Sequence, residues 1–489
     1  MKTTSLFGGV QVFNILITMV RTKLIAVLIG PAGMGIAGLL LSTTNLITAG
    51  TNFGLNTSAV RHVAAAHAGG DSKRVSEVVG VLRRLVWFTG LLGSVLTFFL
   101  APLLSRTTFG NSDFTGAFRW ISITLLFSQL AAGRLVLLQG MRQLRKLAMA
   151  NLLGSSAGLL VSVPVYYYMG IDGVVPTLVI SSVASMAIAW FLSAKIPIEP
   201  VRITSALLRE EGMGMLRMGF TISLSGLLGL ATAYLLSIFI GRTGGVEQVG
   251  FYNSGFSIIN TYVTMIFGAM ATDYFPRLST VATDNGKSAL LINQQAELAV
   301  LIMAPLLILF IIFIKPIVLV MYTGKFLAML TMMRLFALGI FFKAVTWAMG
   351  FLILARGDAR LFFISELAAS IYVLLLNMVF YYYYGLTGLG FSFIFSYALG
   401  LLQTYLIIRF KYRFAFSGEL IRLFCILTAL AFVSFLVMYR LQGPIRYALV
   451  LAVMLVAAAY SLKGLNTRIH IADLVAQKFK INLPWFRKR

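Results

Sequence analysis

The sequence predicts an all-α polytopic membrane protein. It is read as about fourteen transmembrane helices, forming two parallel six-helix lobes around a central cavity plus two extra C-terminal helices. Three observations predict this. The 489-residue chain is 59% hydrophobic and 11% charged, with a mean hydropathy of +0.91, whereas soluble domains are about half apolar and a quarter charged. Apolar runs of ~20 residues, enough to cross a bilayer, recur along the whole chain. Basic residues gather in alternate connections, as cytoplasmic loops require.

The runs lie at 5–30, 36–60, 84–104, 116–138, 148–169, 174–194 and 217–240, then at 249–271, 293–314, 328–355, 360–384, 387–409, 420–439 and 444–462. The first lacks a basic segment followed by a small-residue cleavage site, so it is expected to be a retained helix. Gly30, Pro31 and Gly33 mark its stop and an outer turn. Pro164 and Pro305 are expected to kink the fifth and ninth helices. Tyrosine runs at 166–168 and 381–384 fall at the outer interface, where aromatic residues gather. A count of twelve or thirteen remains open if a pair near the C-terminus is misread.

With the N-terminus inside, 28 of the 40 Lys and Arg residues fall on the cytoplasmic side and 7 outside. That fourfold bias places both termini in the cytoplasm. It also accounts for most of the net charge of +25, so membrane lipids are the expected partner and nucleic acid is not. The tail from 463 mixes Lys and Arg with Ile, Phe and Trp, which fits either a helix on the inner leaflet or a disordered tail. The single cysteine, Cys425, lies in an apolar run, and three scattered histidines offer no metal-ligand spacing. No Walker A loop, GxSxG elbow or HExxH occurs, so neither enzyme chemistry nor a cofactor is expected. Outer loops of at most about a dozen residues leave no room for a membrane polymerase's catalytic loop.

Three junctions recur. Gly30 and Gly33 match Gly241 and Gly244; Gly170 and Gly173 match Gly385 and Gly388; Gly140 matches Gly357. Each shift spans six helices, and an even number makes the halves parallel about an axis along the membrane normal. The expected divisions are 1–200 and 201–413 for the two lobes, 414–462 for two added helices, and 463–489 for the tail.

RTKLIAVLIGPAGMG at the end of helix 1, an Asn- and Thr-rich helix 2, and DYFPRLS after helix 8 resemble O-antigen and polysaccharide flippases. The two-lobe layout is similar to the wider multidrug/oligosaccharidyl-lipid/polysaccharide exporter superfamily. The resemblance covers the whole chain. It implies an undecaprenyl-diphosphate-linked oligosaccharide moved from the inner to the outer leaflet of the bacterial inner membrane. It also implies a path between helices 1, 2, 7 and 8, and polysaccharide polymerase and chain-length proteins as partners.

Charges inside the spans carry the candidate site. A cation near the bilayer centre costs at least ~2.5–3.5 kcal/mol and is kept where water, a counter-ion or substrate receives it. Arg21 sits roughly 6 Å past the middle of helix 1. Gln11, Asn14, Thr18 and Arg21 share one polar face, which points at a cavity or a neighbouring helix. Lys23 is ~200° away and is expected to snorkel or make a structural bond. Asn45 and Asn52 on helix 2, and Asn253 and Asn260 on helix 8, either offer amides to sugar or glue helices together. Arg61 could meet a diphosphate at the inner mouth. Lys343, midway along helix 10, wants an anionic headgroup or Glu366. Arg134 and Arg334 are expected to snorkel. Glu366 and Asp273 are the candidates for ion coupling. Cations outnumber buried acids, which favours an anionic substrate over a cationic drug. A multidrug antiporter and a peptidoglycan-precursor flippase remain the alternatives.

Overall fold

The computed structural model describes the backbone of residues 2–199 and 201–469, and side chains from residue 13. The basic tail from 470 and the side chain of Gln11 lie outside the described residues. Every regular element described is helical: thirteen α-helices and two short 3₁₀ turns. They are α1 (Lys2–Asn52), α2 (Leu55–Ala68), α3 (Ser72–Phe109), α4 (Thr115–Gly140), α5 (Leu144–Met169), α6 (Val174–Ala194) and α7 (Ser205–Gly244). After them come α8 (Val246–Val281), α9 (Asn285–Met321), α10 (Leu330–Ala355), α11 (Ala359–Tyr412), α12 (Gly418–Arg440) and α13 (Ile445–Ile469).

Eleven helical stretches are long and apolar enough to cross a membrane. Three of them contain a break. The backbone leaves the helical region at Gly30 (φ 63°, ψ −169°) in α1 and at Gly385 (φ 57°, ψ −139°) in α11. Between α5 and α6 it turns at Gly170 (φ 56°, ψ −130°). Divided there, the stretches make fourteen apolar segments. The outer turn expected over several residues near Gly30 is a single residue. Pro31 starts the next limb at once, because its missing N–H and fixed φ suit a first helical position.

The run read as one helix over 36–60 is divided. Phe53 (φ 49°) and Gly54 (φ 64°) interrupt it, and α2 begins at Leu55. The cause is α7: a Cβ on Gly54 would overlap the Gly219 carbonyl and the Ser223 hydroxyl. Helix 3 begins a dozen residues before the apolar run. Asp71 caps it, accepting from the backbone N–H groups of Lys73 (2.9 Å) and Arg74 (3.2 Å).

The repeat is carried by the backbone more regularly than by the sequence. Left-handed positions pair Gly30 with Gly245, Arg142 with Gly357, and Gly170 with Gly385. Each pair is 215 residues apart. The matches of Gly30 with Gly241 and Gly140 with Gly357 were therefore out of register by four and two residues. Spaced glycines are frequent in membrane helices, so a glycine match alone slides; a positive φ does not.

The chain groups into two compact units, Met1–Asn253 with Val318–Phe326, and Ser254–Ile317 with Leu327–Arg489. In the first unit α4 packs on α3 and α6, α5 lies between α1 and α6, and α7 contacts α1, α2 and α3. Its inner core joins Leu55 and Val63 of α2, Val78 and Leu82 of α3, and Leu138 of α4. A second core joins Leu40, Ala101, Phe118, Ile121 and Tyr166.

At the start of α8 the first unit contains a reciprocal crossing. A Cβ on Gly35 would overlap the Val246 carbonyl oxygen, and one on Gly250 would overlap that of Pro31. Pro31 and Val246, like Gly35 and Gly250, are 215 residues apart. One step further, the Asn253 amide rests on Gly38, its own counterpart. The contact is thus a local twofold between α1 and α8, and only glycine permits two backbones so close.

In the second unit α10 is buried along most of its length and packs on α11 and α12. Tyr274 of α8 donates to the Ala348 carbonyl at 2.7 Å. At the α10–α11 loop, the Tyr412 hydroxyl donates to Asp358, which also pairs with Lys411 at 3.1 Å. Those two partners hold the Asp358 carboxyl below its ordinary range.

Two outcomes follow from this packing. Gly35→Val and Gly250→Val are each expected to lower the thermal unfolding midpoint in detergent, by an overpacking strain of ~1–3 kcal/mol. Gly229→Ala, where a Cβ meets nothing within 4 Å, serves as the neutral control. The Asp358 contact is present above the ordinary carboxylate pKa of ~3.9 and is lost as pH falls through the lower folded value. Amide exchange in the α10–α11 loop should therefore quicken in acid, and Asp358→Asn should show that quickening already at neutral pH.

Candidate functional site

A cation inside an apolar helix must find a partner, and the partners sort the candidates. Lys23 of α1 donates to the carbonyls of Leu319 (2.6 Å) and Tyr322. These lie at the C-terminal end of α9, where carbonyls have no partner within the helix. Arg242 of α7 donates to the carbonyls of Arg106 and Thr107, both at 2.6 Å, at the C-terminal end of α3. The two caps are alike in kind but not in register, since the 215-residue shift pairs Lys23 with Ile238 and Arg242 with Val27. A cation near the end of the first helix of one repeat closes the third helix of the other. Each places positive charge where the helix dipole is negative. Lys23 makes a structural bond, one of the two outcomes expected of it.

Arg21 has a different setting. Its guanidinium lies against α5, where a Cβ on Gly158 would be 3.0 Å from Nη1. Gly158 makes room for it. Tyr166, also on α5, is near enough to interact electrostatically. The Arg21 Nε is buried without a hydrogen-bond partner, and no described acid forms an ion pair with this residue. One helical turn and two turns back, Thr18 donates to the Asn14 carbonyl (2.7 Å), and the buried Asn14 Oδ1 is unpartnered. These three residues form one polar strip on α1.

The asparagines of the second and eighth runs divide. Asn52 is buried, and its Oδ1 accepts from Gln129 (3.2 Å), which also donates to Thr89 (3.1 Å). Asn52 therefore ties α1 to α4 and α3 and is not offered to a ligand, because its acceptor is already engaged in the core. Asn45 is exposed. Asn253 is half-buried on Gly38. Asn260, in the second unit, is exposed and accepts from Thr264 at 3.5 Å. Arg61 is exposed on α2. Its neighbour His62 stands 3.7 Å from Glu211, which also holds Arg74.

In the second unit Lys343 is half-buried, with Nζ 5.3 Å from the centre of the Tyr397 ring. No ion pair joins it to Glu366 among the described residues. Tyr372 lies within electrostatic range of both Glu366 and Tyr397. The two limbs of α11 are tied beside this group by Gln403, whose Nε2 donates to the Ser365 carbonyl (3.0 Å) and hydroxyl (2.9 Å). Lys343, Tyr397, Tyr372 and Glu366 thus form one cluster of a cation, two phenols and an acid. The sequence singled out its two ends; the phenols needed the fold of α11 at Gly385.

The remaining acids are engaged elsewhere. Asp273 is exposed and paired with Arg277 one turn on, at 3.1 Å, so it is not a buried coupling acid. Glu297 accepts from Arg468 (2.7 Å) and Ser417 (2.9 Å) and joins α9 to the last two helices. Arg334 does not snorkel. It is 8% exposed, and its Nε has no partner.

Residues 24–331 match a family model described as polysaccharide biosynthesis protein. Lipid III flippases of Escherichia coli and Shigella flexneri are each 23% identical over 355 residues, covering 71% of this chain and 83% of theirs. Among solved structures, the lipid II flippase MurJ in an inward closed conformation is 13% identical. It covers 96% of this chain and 99% of its own, with a TM-score of 0.68. An inward-facing multidrug resistance transporter of the MATE family is 15% identical, covering 83% and 95%, also with a TM-score of 0.68. These likenesses in structure establish the fold.

Removing the reciprocal caps tests the site's frame. Lys23→Met and Arg242→Met should each lower the thermal midpoint by the equivalent of ~1–2 kcal/mol, the scale of a cation on a helix end. The double variant should lose about the sum.

Proposed function

The chain belongs to the polysaccharide biosynthesis protein family, and from that premise we propose that it is a flippase for a polyprenyl-diphosphate-linked oligosaccharide. The lipid crosses from the inner to the outer leaflet of the bacterial inner membrane. The oligosaccharide is an O-antigen or other surface polysaccharide repeat unit. Fourteen segments span the membrane with both termini cytoplasmic, as the basic-loop bias supports. Polymerase and chain-length proteins would take the product on the outer side.

One observation carries this reading: the unpaired cation of α1. Arg21 is kept within an apolar helix, beside a glycine that makes room for it, with no acid in ion-pair distance among the described residues. A diphosphate offers the paired negative oxygens that a guanidinium binds in fork geometry. Asn14 and Thr18 continue the strip and can serve hydroxyl-rich sugar. Lys343 supplies a second cation held on an aromatic face. The lipid III and lipid II flippases among the relatives act on lipid-linked substrates, which supports the same class. Alternating access moves the headgroup while the tail stays in the bilayer. Glu366, a half-buried acid outside any ion pair among the described residues, is the residue assigned to ion coupling. The fold shared with multidrug transporters supports one second reading, exchange of organic cations for protons.

Transbilayer movement in reconstituted liposomes separates these readings. Labelled polyprenyl-diphosphate oligosaccharide should reach the outer leaflet with the native protein. Arg21→Ala should slow this by about tenfold or more, since losing a charged contact removes ~1.5–3 kcal/mol. Lys343→Ala should slow it too, with both variants folded. Native protein inactive on this lipid but exchanging organic cations would establish the antiporter instead. Preference for a peptidoglycan precursor over the oligosaccharide would move the substrate but keep the class.

A further inference from the structure

The inner ends of α3, α4 and α6 frame a cleft of about 240 Å³. Arg83 of α3 and Arg134 of α4 line it with Trp87 and Trp190. Leu130 and Met186 are among its apolar walls. The two guanidinium groups are near enough to repel each other. Neither has an acid within ion-pair distance among the described residues. Arg83 is exposed and Arg134 half-buried, and the indoles are 46% and 52% exposed.

Depth along the helices gives the cleft a polarity. Arg83 stands at the edge of its apolar run. Trp190 lies four residues, ~6 Å, inside the end of α6, and Arg134 six residues, ~9 Å, inside the end of α4. Arg83 therefore marks the headgroup level, Trp190 and then Arg134 lie progressively deeper, and the aliphatic side chains of Met186 and Leu130 lie below them. A soluble anion would use only the first of these layers. Two unneutralised arginines above an apolar wall match a phosphate carrying acyl chains.

We propose that this cleft binds an anionic glycerophospholipid of the cytoplasmic leaflet. Its phosphate lies between Arg83 and Arg134, and an acyl chain follows Leu130 and Met186. The leaflet follows from the basic-loop bias, since basic pockets between helices on that side hold anionic headgroups. The bound lipid relieves the repulsion between α3 and α4 and fastens the two helices at their inner ends. The site lies wholly within the first unit and is independent of the substrate reading.

Native mass spectrometry of the purified protein tests it, with phosphatidylglycerol and phosphatidylcholine supplied in equal amounts. The native protein should retain one phosphatidylglycerol with about tenfold preference, the scale of two basic groups at ~1 kcal/mol each with partial exposure. Arg83→Gln/Arg134→Gln should abolish the preference, and Arg83→Lys/Arg134→Lys should keep it. If the double glutamine variant does not fold, Arg83→Gln alone should lower the preference about threefold. No preference in the native protein, or an undiminished one in the glutamine variants, overturns the proposal. Displacement by inorganic phosphate would make this a site for a small anion. Displacement by polyprenyl diphosphate would make it a substrate-loading site. Either result also overturns the lipid assignment.

Discussion

The fold turns on one close approach, the crossing of α1 and α8 at Gly35 and Gly250. Two helices in a membrane gain little from hydrophobic association, because lipid is as apolar as their side chains. They associate by fitting closely. Here the fit is backbone to backbone, with Gly35 facing the carbonyl of Val246 and Gly250 facing that of Pro31. The 215-residue repeat makes the contact self-complementary. One arrangement, satisfied once, is satisfied twice.

The buried cations have three solutions to one problem. Lys23 and Arg242 reach carbonyls that their host helices α9 and α3 leave unpaired, so two deficits cancel. Lys343 rests on the face of Tyr397, where the ring's negative quadrupole replaces a counter-ion. Arg21 has neither. Its helix could have carried Leu at this position at lower cost, so the unmet charge is where a ligand is expected. Glu297, by contrast, is fully engaged in joining α9, α12 and α13.

The fold alone does not choose a substrate. Flippases for lipid-linked precursors and multidrug transporters share it at equal TM-score. Architecture fixes that helices surround a path; charge along the path decides what enters. Membership in the polysaccharide biosynthesis family and the surplus of cations over free acids point the same way. The surplus is wider in the structure than in the sequence, because Asp273 and Glu297 are both paired.

The sequence by itself determined that the chain is helical and membrane-spanning, where its apolar runs lie, and that it repeats. Those properties follow from composition and from periods of a few residues, which need no partner to be read. It also located Arg21, Lys343 and Glu366, since a charge in an apolar run is visible alone. Only the tertiary structure decided the register of the repeat, because backbone dihedrals at Arg142 and Gly245 leave no unique letter behind. It alone divided helix 2 at Gly54, where α7 intrudes. It separated Lys23, held by carbonyls, from Arg21, held by none, though the two are only two residues apart. It removed Asn52 from the site by burying it against Gln129, and brought Tyr397 to Lys343 from 54 residues away. Each of these is a contact between segments distant in sequence, and such contacts exist only once the helices have packed.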